Sequence, residues 1–203
     1  MIRGVHIAWT SFLLAVVVIA IVPGPDFVLI TGNAVRGTRY GALAAAGVVC
    51  GLLVHAALAT LGLSALVVAV PAALIAVKTV GALYLVHLGV MTLRAAGKGT
   101  LDALVPDGRS VFLRGVLCDL LNPKVMLTFL SIIPQAMDPF APPLPQAAAL
   151  SAVTVGVFAA FWAIVVPLAG KLSRILTKPE VRPVFERVCG TALIGLAASV
   201  LAT

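Results

Sequence analysis

The sequence predicts an all-α membrane protein with six transmembrane helices, arranged as two inverted three-helix repeats whose first and fourth helices are broken at proline. Composition, the spacing of apolar runs and the placement of basic residues predict this fold. Of 203 residues, 62% are hydrophobic and only 10% are charged. A soluble domain carries about 25% charged residues. Charge this scarce excludes a soluble enzyme, a nucleic-acid-binding domain and a secreted disulfide scaffold.

Apolar runs between charged or proline-rich breaks predict the spans. A bilayer core of about 30 Å requires about 20 mostly apolar residues per helix. The runs that meet this requirement are 8–35, 41–67, 72–93, 112–137, 146–169 and 184–202. We therefore interpret 1–203 as a single transmembrane domain, with the first three-helix repeat in 1–97 and the second in 98–203.

The basic residues predict the orientation of the spans. Two Lys or Arg residues fall between spans one and two, four between spans three and four, and five between spans five and six. They are Arg36, Arg39, Arg94, Lys98, Arg109, Arg114, Lys171, Arg174, Lys178, Arg182 and Arg187. The opposite side carries only Arg3. Because Lys and Arg concentrate in cytoplasmic loops, we expect these segments in the cytoplasm and both termini on the outer side.

Each predicted half begins with a helix that proline interrupts. Span one contains Pro23-Gly24-Pro25, and span four contains Asn122-Pro123. A helix broken at membrane depth frees N–H and C=O groups that need new partners, and matched breaks in inverted halves are typical of the binding site of a transporter. The alternative is a pair of packing kinks. We expect Gly24 and Asn122 to be N-caps, each followed by proline at the first helical position.

The charges next to these breaks are candidate site residues. Aligning the two prolines places Asp26 opposite Lys124. An ionisable group at mid-membrane costs at least ~2.5–3.5 kcal/mol on insertion scales, so it requires pairing or a function. Our hypothesis is that this pair engages the ammonium and carboxylate of a substrate, or a coupling proton. The alternative is that Asp26 is only a capping acid in the first turn of a helix.

Further polar residues at membrane depth complete the candidate set. Asp119 precedes the break in span four by one turn, where Lys124 or Arg114 is its expected partner. The secondary candidates are His55, Lys78, Tyr84 and Gln135. His55 follows Gly47 and Gly51 at four-residue spacing, which favours a helix-packing role over a proton relay. Snorkelling of Lys78 to the interface and a loop-end role for Gln135 are the alternatives for those residues.

Three scattered cysteines, Cys50, Cys118 and Cys189, have no spacing typical of a metal site or a disulfide framework. We therefore expect no metal and no cofactor.

Together the motifs resemble the LysE/RhtB family of bacterial amino-acid exporters over the whole chain. The pieces that carry the resemblance are Pro23-Gly24-Pro25, then Gly37, Gly41, Gly47 and Gly51, then Lys78, Gly81, Tyr84, Leu85 and Gly89, then Asn122-Pro123-Lys124 and Pro134-Gln135. The resemblance implies a six-span transporter of the bacterial inner membrane that exports amino acids or related metabolites by proton antiport. Its implied partners are an amino-acid substrate, protons and the lipid bilayer, with a homo-oligomer as an option and no nucleic acid.

Two other functions stay open at this point. A passive facilitator or channel would use the same cavity without coupling. A thiol-redox membrane electron carrier would need a cysteine pair assembled from both halves, and span one contains no cysteine. The redox function is therefore disfavoured.

Overall fold

The computed structural model describes residues 7–22, 24–62, 79–80, 82–84, 86–87, 89–91, 93–94, 107–176, 178 and 180–202. Regular structure in these ranges is entirely helical. The helices are α1 (Trp9–Ile21), α2 (Pro25–Arg36), α3 (Thr38–Thr60), α4 (Ala82–Met91), α5 (Gly108–Leu120), α6 (Pro123–Leu127), α7 (Ile133–Ala136), α8 (Pro143–Leu176) and α9 (Arg182–Ala202). A π-helical segment, Thr128–Ile132, joins α6 to α7.

Apolar helices of membrane-spanning length confirm the all-α membrane class. Two helices, α3 and the Pro143–Leu172 part of α8, are long and apolar enough to cross a bilayer. Two bent pairs bring the number to as many as four: α1 with α2, bent by 51°, and α5 with Lys124–Ala136, bent by 55°. The breaks predicted in spans one and four are therefore present. Much of predicted span three lies outside the described residues, and the six-span inverted repeat stays a prediction.

Several boundaries differ from the prediction because of local backbone chemistry. Predicted span two ran to residue 67, but α3 ends at Thr60, and Gly62 follows with a φ of 73° that favours glycine. Predicted span five began at residue 146, but α8 begins at Pro143, since proline fits a first helical turn.

Some basic residues that we expected in loops lie on helices instead. The Asp107 carboxylate accepts a hydrogen bond from the Arg109 backbone N–H at 3.3 Å, which starts α5 early. Arg114 consequently lies within α5, as Arg187 lies within α9, and both side chains are exposed.

Contacts at the helix ends give the directions of the described spans. The Ala8 N–H donates to the Ala136 carbonyl at 3.1 Å, so the start of span one lies beside the end of span four. At the opposite ends, Gly170 of α8 packs on Thr38 of α3, and Gly108 of α5 packs on Leu43 of α3. Spans one and five therefore run in the direction opposite to spans two and four, which are parallel to each other. This second face, which lies at the opposite end of the spans from Ala8 and Ala136, carries the exposed basic residues Arg36, Arg39, Arg109 and Lys171.

Glycines allow α3 and α5 to touch through their backbones. A Cβ on Gly47 would lie 2.2 Å from the Phe112 carbonyl oxygen, and one on Gly115 would lie 2.4 Å from the Ala44 carbonyl oxygen. Small residues at a crossing permit this close approach in a membrane, where apolar burial alone does not drive helices together. One turn further along, Gly51 meets the carboxylate of Asp119. This crossing fixes where the end of α5 lies.

Replacing Gly47 with valine should force α3 and α5 apart. Overpacking costs about 1–3 kcal/mol, which lowers the unfolding temperature by about 2–4 °C per kcal/mol in a protein of this size. Thermal unfolding of the purified protein in detergent measures the effect. The matched control is Gly156→Val on α8, because a Cβ at Gly156 meets no atom within 4 Å. Equal unfolding temperatures for the two variants would contradict the close crossing.

Candidate functional site

The two helix breaks have matching backbone geometry. Gly24 precedes Pro25 in an extended conformation, with φ −136° and ψ −172°. Asn122 precedes the second restart with φ −82° and ψ 107°, and its side-chain oxygen accepts a hydrogen bond from the Lys124 backbone N–H at 3.1 Å. Both residues are N-caps followed by proline, as the sequence predicts. Pro23 lies outside the described residues.

Asn122 also joins the two breaks to each other. Its side-chain N–H donates to Asp26 Oδ2 at 2.6 Å, across 96 residues of sequence. Asp26 is only 5% exposed and Asn122 only 1%. The second carboxylate oxygen of Asp26, Oδ1, is buried without a hydrogen-bond partner among the described atoms. Because Oδ2 accepts from Asn122 and Oδ1 has no partner among the described atoms, Asp26 does not cap its own helix by hydrogen bonding.

Lys124 makes a second link between the breaks. Its Nζ donates to the carbonyl oxygen of Val22, the residue that caps the C-terminus of α1. Its side chain passes over Gly24, where an added Cβ would lie 3.4 Å from Lys124 Cδ. Asp26 and Lys124 therefore each bond to the opposite broken span, and their charges interact without a direct hydrogen bond.

A small cavity lies between these groups. Its lining residues are Ala20, Val22, Gly24, Asp26, Phe27, Lys124, Phe158 and Trp162. Its volume is about 10 Å³, which leaves room for about one water molecule. One wall is polar and consists of the Asp26 carboxylate, the Lys124 ammonium and the backbone at the break. The other wall is aromatic.

The aromatic wall consists of Phe27 from α2 and of Phe158 and Trp162 from α8, none of which we identified from the sequence. The indole N–H of Trp162 is buried without a hydrogen-bond partner in the described part of the chain. The spacing of Phe158 and Trp162, one turn apart on a helix, was the available signal. Apolar residues in an apolar helix gave no reason to prefer them.

Asp119 lies behind the break and is fully buried. The expected pairing with Lys124 or Arg114 is wrong, because neither carboxylate oxygen of Asp119 has a hydrogen-bond partner among the described residues. The carboxylate instead packs on α3, where a Cβ on Gly51 would lie 2.5 Å from Oδ2. Asp119 still interacts electrostatically with Asp26. The structure therefore brings together two buried carboxyl groups, one from each broken span.

Three of the four secondary candidates fall within the described residues, and they lie on different helices. His55 Nε2 lies 3.3 Å from the Asp119 carbonyl oxygen, and the ring stacks on Phe129 with centroids 5.8 Å apart. The Tyr84 hydroxyl donates to the Arg114 carbonyl at 3.4 Å, which ties α4 to α5. Gln135 is exposed on α7, near the end of span four, and Lys78 lies outside the described residues.

The thiols and possible metal ligands are as follows. Cys50, Cys118 and Cys189 are free thiols, and Cys118 is buried close enough to Asp26 to interact with it electrostatically. Among the described residues, no group of three or more His, Cys, Asp or Glu could hold a metal ion.

Comparisons with known proteins identify relatives over nearly the whole chain. A family model described as LysE type translocator matches residues 17–203. A leucine efflux protein of Salmonella typhimurium is 31% identical over 202 residues, covering 96% of this chain and 94% of the relative. An uncharacterized membrane protein of Vibrio cholerae is 30% identical over 194 residues and 94% of each chain. No solved structure matches the chain.

The link between Asn122 and Asp26 should appear as an energetic coupling. In a double-mutant cycle of Asn122→Ala and Asp26→Ala, the two effects on detergent-phase stability should be non-additive by about 1–3 kcal/mol, as for a hydrogen bond to a charged group. The matched control is Asn33→Ala combined with Asp26→Ala, because the Asn33 amide bonds to Leu29 within the same helix. Additive effects in the first cycle would contradict the link.

Proposed function

Because the chain belongs to the family of LysE-type translocators, we propose that it is a proton-coupled secondary active exporter of amino acids or closely related metabolites in the bacterial inner membrane. The chain is a multi-pass membrane transporter with an amino-acid substrate rather than an enzyme. The proposal adds the coupling ion, the membrane and the binding site. Leucine is the first substrate to test, since relatives at 31% identity are named leucine efflux proteins.

The observation that carries the proposed site is the meeting of the two helix breaks around opposite charges. Asp26 from span one and Lys124 from span four line one cavity. An amino acid is a zwitterion, so its ammonium fits Asp26 and its carboxylate fits Lys124. Asp26 and Lys124 each already bond to a group that resembles part of an amino acid. Asn122 donates an N–H to Asp26, as an ammonium would, and the Val22 carbonyl oxygen accepts from Lys124, as a carboxylate would. Substrate would replace these partners.

The size of the cavity supports a transport cycle with moving halves. A volume of about 10 Å³ accommodates about one water molecule and no amino acid. The broken spans must therefore separate for substrate to enter. Their two cross-links, Asn122 to Asp26 and Lys124 to Val22, hold the site closed until that happens. Alternating access would follow from rocking of one half against the other.

Two buried carboxyl groups support proton coupling. Asp26 and Asp119 interact electrostatically, and it is costly to bury a second negative charge on Asp119, which has no hydrogen-bond partner among the described residues. Among the described residues, the charged or titratable groups that interact with Asp26 or Asp119 are Lys124, Cys118, Cys50 and His55. A proton and the ammonium of a substrate would compete for Asp26. Asp119, which no described side chain neutralises by hydrogen bonding, would hold a proton behind it.

The orientation follows the basic face. We propose that the face carrying Arg36, Arg39, Arg109 and Lys171 lies in the cytoplasm, since Lys and Arg favour that side. Both termini would then be periplasmic.

Everted membrane vesicles test the proposal directly. An energised vesicle containing the protein should accumulate radiolabelled leucine against its gradient, and a protonophore should abolish accumulation. The passive-facilitator alternative predicts equilibration only, with no effect of the protonophore. Accumulation of no amino acid from a panel of neutral and basic ones would contradict the exporter function.

Replacing Asp26 with asparagine should abolish this accumulation while leaving the protein in the membrane. The variant loses a charge-assisted hydrogen bond to the ammonium, worth about 1.5–3 kcal/mol, so affinity should fall at least about tenfold. It also loses the titratable group. The matched control is Asp107→Asn, because asparagine caps the start of α5 as well as aspartate does. Full accumulation by the Asp26 variant would remove this residue from the mechanism.

Replacing Lys124 with glutamine should weaken leucine uptake by a similar factor, because the carboxylate of the substrate loses its cation. Lys171→Gln, at an exposed lysine on α8, is the control. Isoamylamine, which is leucine without its carboxylate, provides a second measurement. Its affinity should be insensitive to the Lys124 substitution, and an equal loss for leucine and isoamylamine would contradict the role of Lys124.

A further inference from the structure

We propose that Phe27, Phe158 and Trp162 form the subsite for the side chain of the substrate, and that Trp162 both selects apolar side chains and donates a hydrogen bond to the substrate carboxylate. This inference rests on the proposed export function. It assigns specificity to a helix, α8, that carries none of the charged site residues.

The cavity contains one hydrogen-bond acceptor and one donor without partners, and the charged groups of a zwitterionic amino acid could bond to both. Two of its lining side chains carry buried polar atoms without hydrogen-bond partners, the Oδ1 acceptor of Asp26 and the Nε1–H donor of Trp162. An unpaired buried donor or acceptor is destabilising, so such atoms are uncommon and need an explanation. The ammonium of an amino acid supplies a donor for Asp26. Its carboxylate supplies an acceptor for Trp162, beside the cation of Lys124.

Trp162 is buried on α8, where it contacts Phe27 of the broken span. Trp162 is 4% exposed and Phe158 3%, one turn apart on α8. The Trp162 ring meets Phe27 of α2 with centroids 6.2 Å apart and planes at 43°. The Trp162 ring also makes an edge contact with Phe161, with centroids 4.9 Å apart. If α2 moves away when the site opens, a wall of aromatic rings on α8 is exposed to the substrate.

The chemistry of this wall determines the class of substrate. An apolar side chain placed against Phe158 and Trp162 gains by leaving water. A charged or strongly polar side chain loses its hydration there without a compensating partner. Asp26 is the one carboxylate that lines the described cavity, and the ammonium group occupies it. The subsite therefore favours large neutral amino acids over basic, acidic and small ones.

Ligand-induced thermal stabilisation of the purified full-length protein tests this inference by measuring binding apart from transport. The probes are leucine, alanine, lysine, glutamate and isoamylamine, which is leucine without its carboxylate. We expect the wild type to prefer leucine to alanine by tenfold or more, since one methylene in an apolar pocket changes affinity by about 10–200-fold. Lysine and glutamate should bind more weakly than leucine.

Two substitutions at Trp162 separate its two roles. Trp162→Phe keeps an aromatic wall but removes the N–H, so leucine and alanine should both bind about tenfold more weakly, while isoamylamine, which has no acceptor for that N–H, should bind as before. Trp162→Ala removes the wall, so the preference for leucine over alanine should collapse. Trp9→Phe is the matched control, because the other tryptophan is 38% exposed at the start of α1.

The outcomes distinguish this inference from the proposed function. A wild type that binds no amino acid overturns both. A wild type that binds leucine, with Trp162→Phe retaining full affinity and Trp162→Ala retaining the preference, overturns the subsite and leaves the export function intact. Should Trp162→Ala fail to fold, the phenylalanine variant alone decides, because an equal loss of leucine and isoamylamine affinity also overturns the hydrogen bond.

Discussion

The hydrogen bond from Asn122 to Asp26 is the interaction on which the site depends. A bilayer offers no water to the backbone of a broken helix, so each break must satisfy its free groups within the protein. The side-chain oxygen of Asn122 caps its own helix, and the side-chain N–H donates to the Asp26 carboxylate of the other broken span. The geometry of one break is thereby coupled to the closure of both. A rotation of either half-helix disturbs the cap and the cross-link together.

The glycines of α3 determine how deeply the acidic groups are buried. Backbone contact between Gly47 and α5 brings the next turn of α5 against Gly51, which buries Asp119 completely. A larger residue at either glycine would separate the helices and hydrate the carboxylate. Close packing and a buried ionisable group are thus two results of one crossing.

Local chemistry made part of this site predictable from the sequence. Proline and glycine specify a break and its caps through backbone geometry alone, and charges in so apolar a chain are conspicuous. The partners were not predictable, because rotation about a helix axis across a break cannot be read from spacing. Asp119 illustrates this, since it turns towards α3 and not towards Lys124. Phe158 and Trp162 were not predicted to line the cavity for another reason. Lipid and protein interior are equally apolar, so hydrophobicity does not distinguish a cavity wall from a lipid-facing surface.

In the proposed mechanism, the polar wall and the aromatic wall of the cavity have separate tasks. A zwitterionic amino acid is neutral overall, so its entry would leave the net charge of the site unchanged, and Phe158 and Trp162 on α8 would discriminate its side chain. A proton would change that charge by binding at Asp26 or Asp119, which belong to the two broken spans. Substrate choice can then vary through α8 without altering the carboxyl pair. The same separation explains why the charges alone did not reveal which amino acid is carried, since every amino acid offers the same ammonium and carboxylate to Asp26 and Lys124.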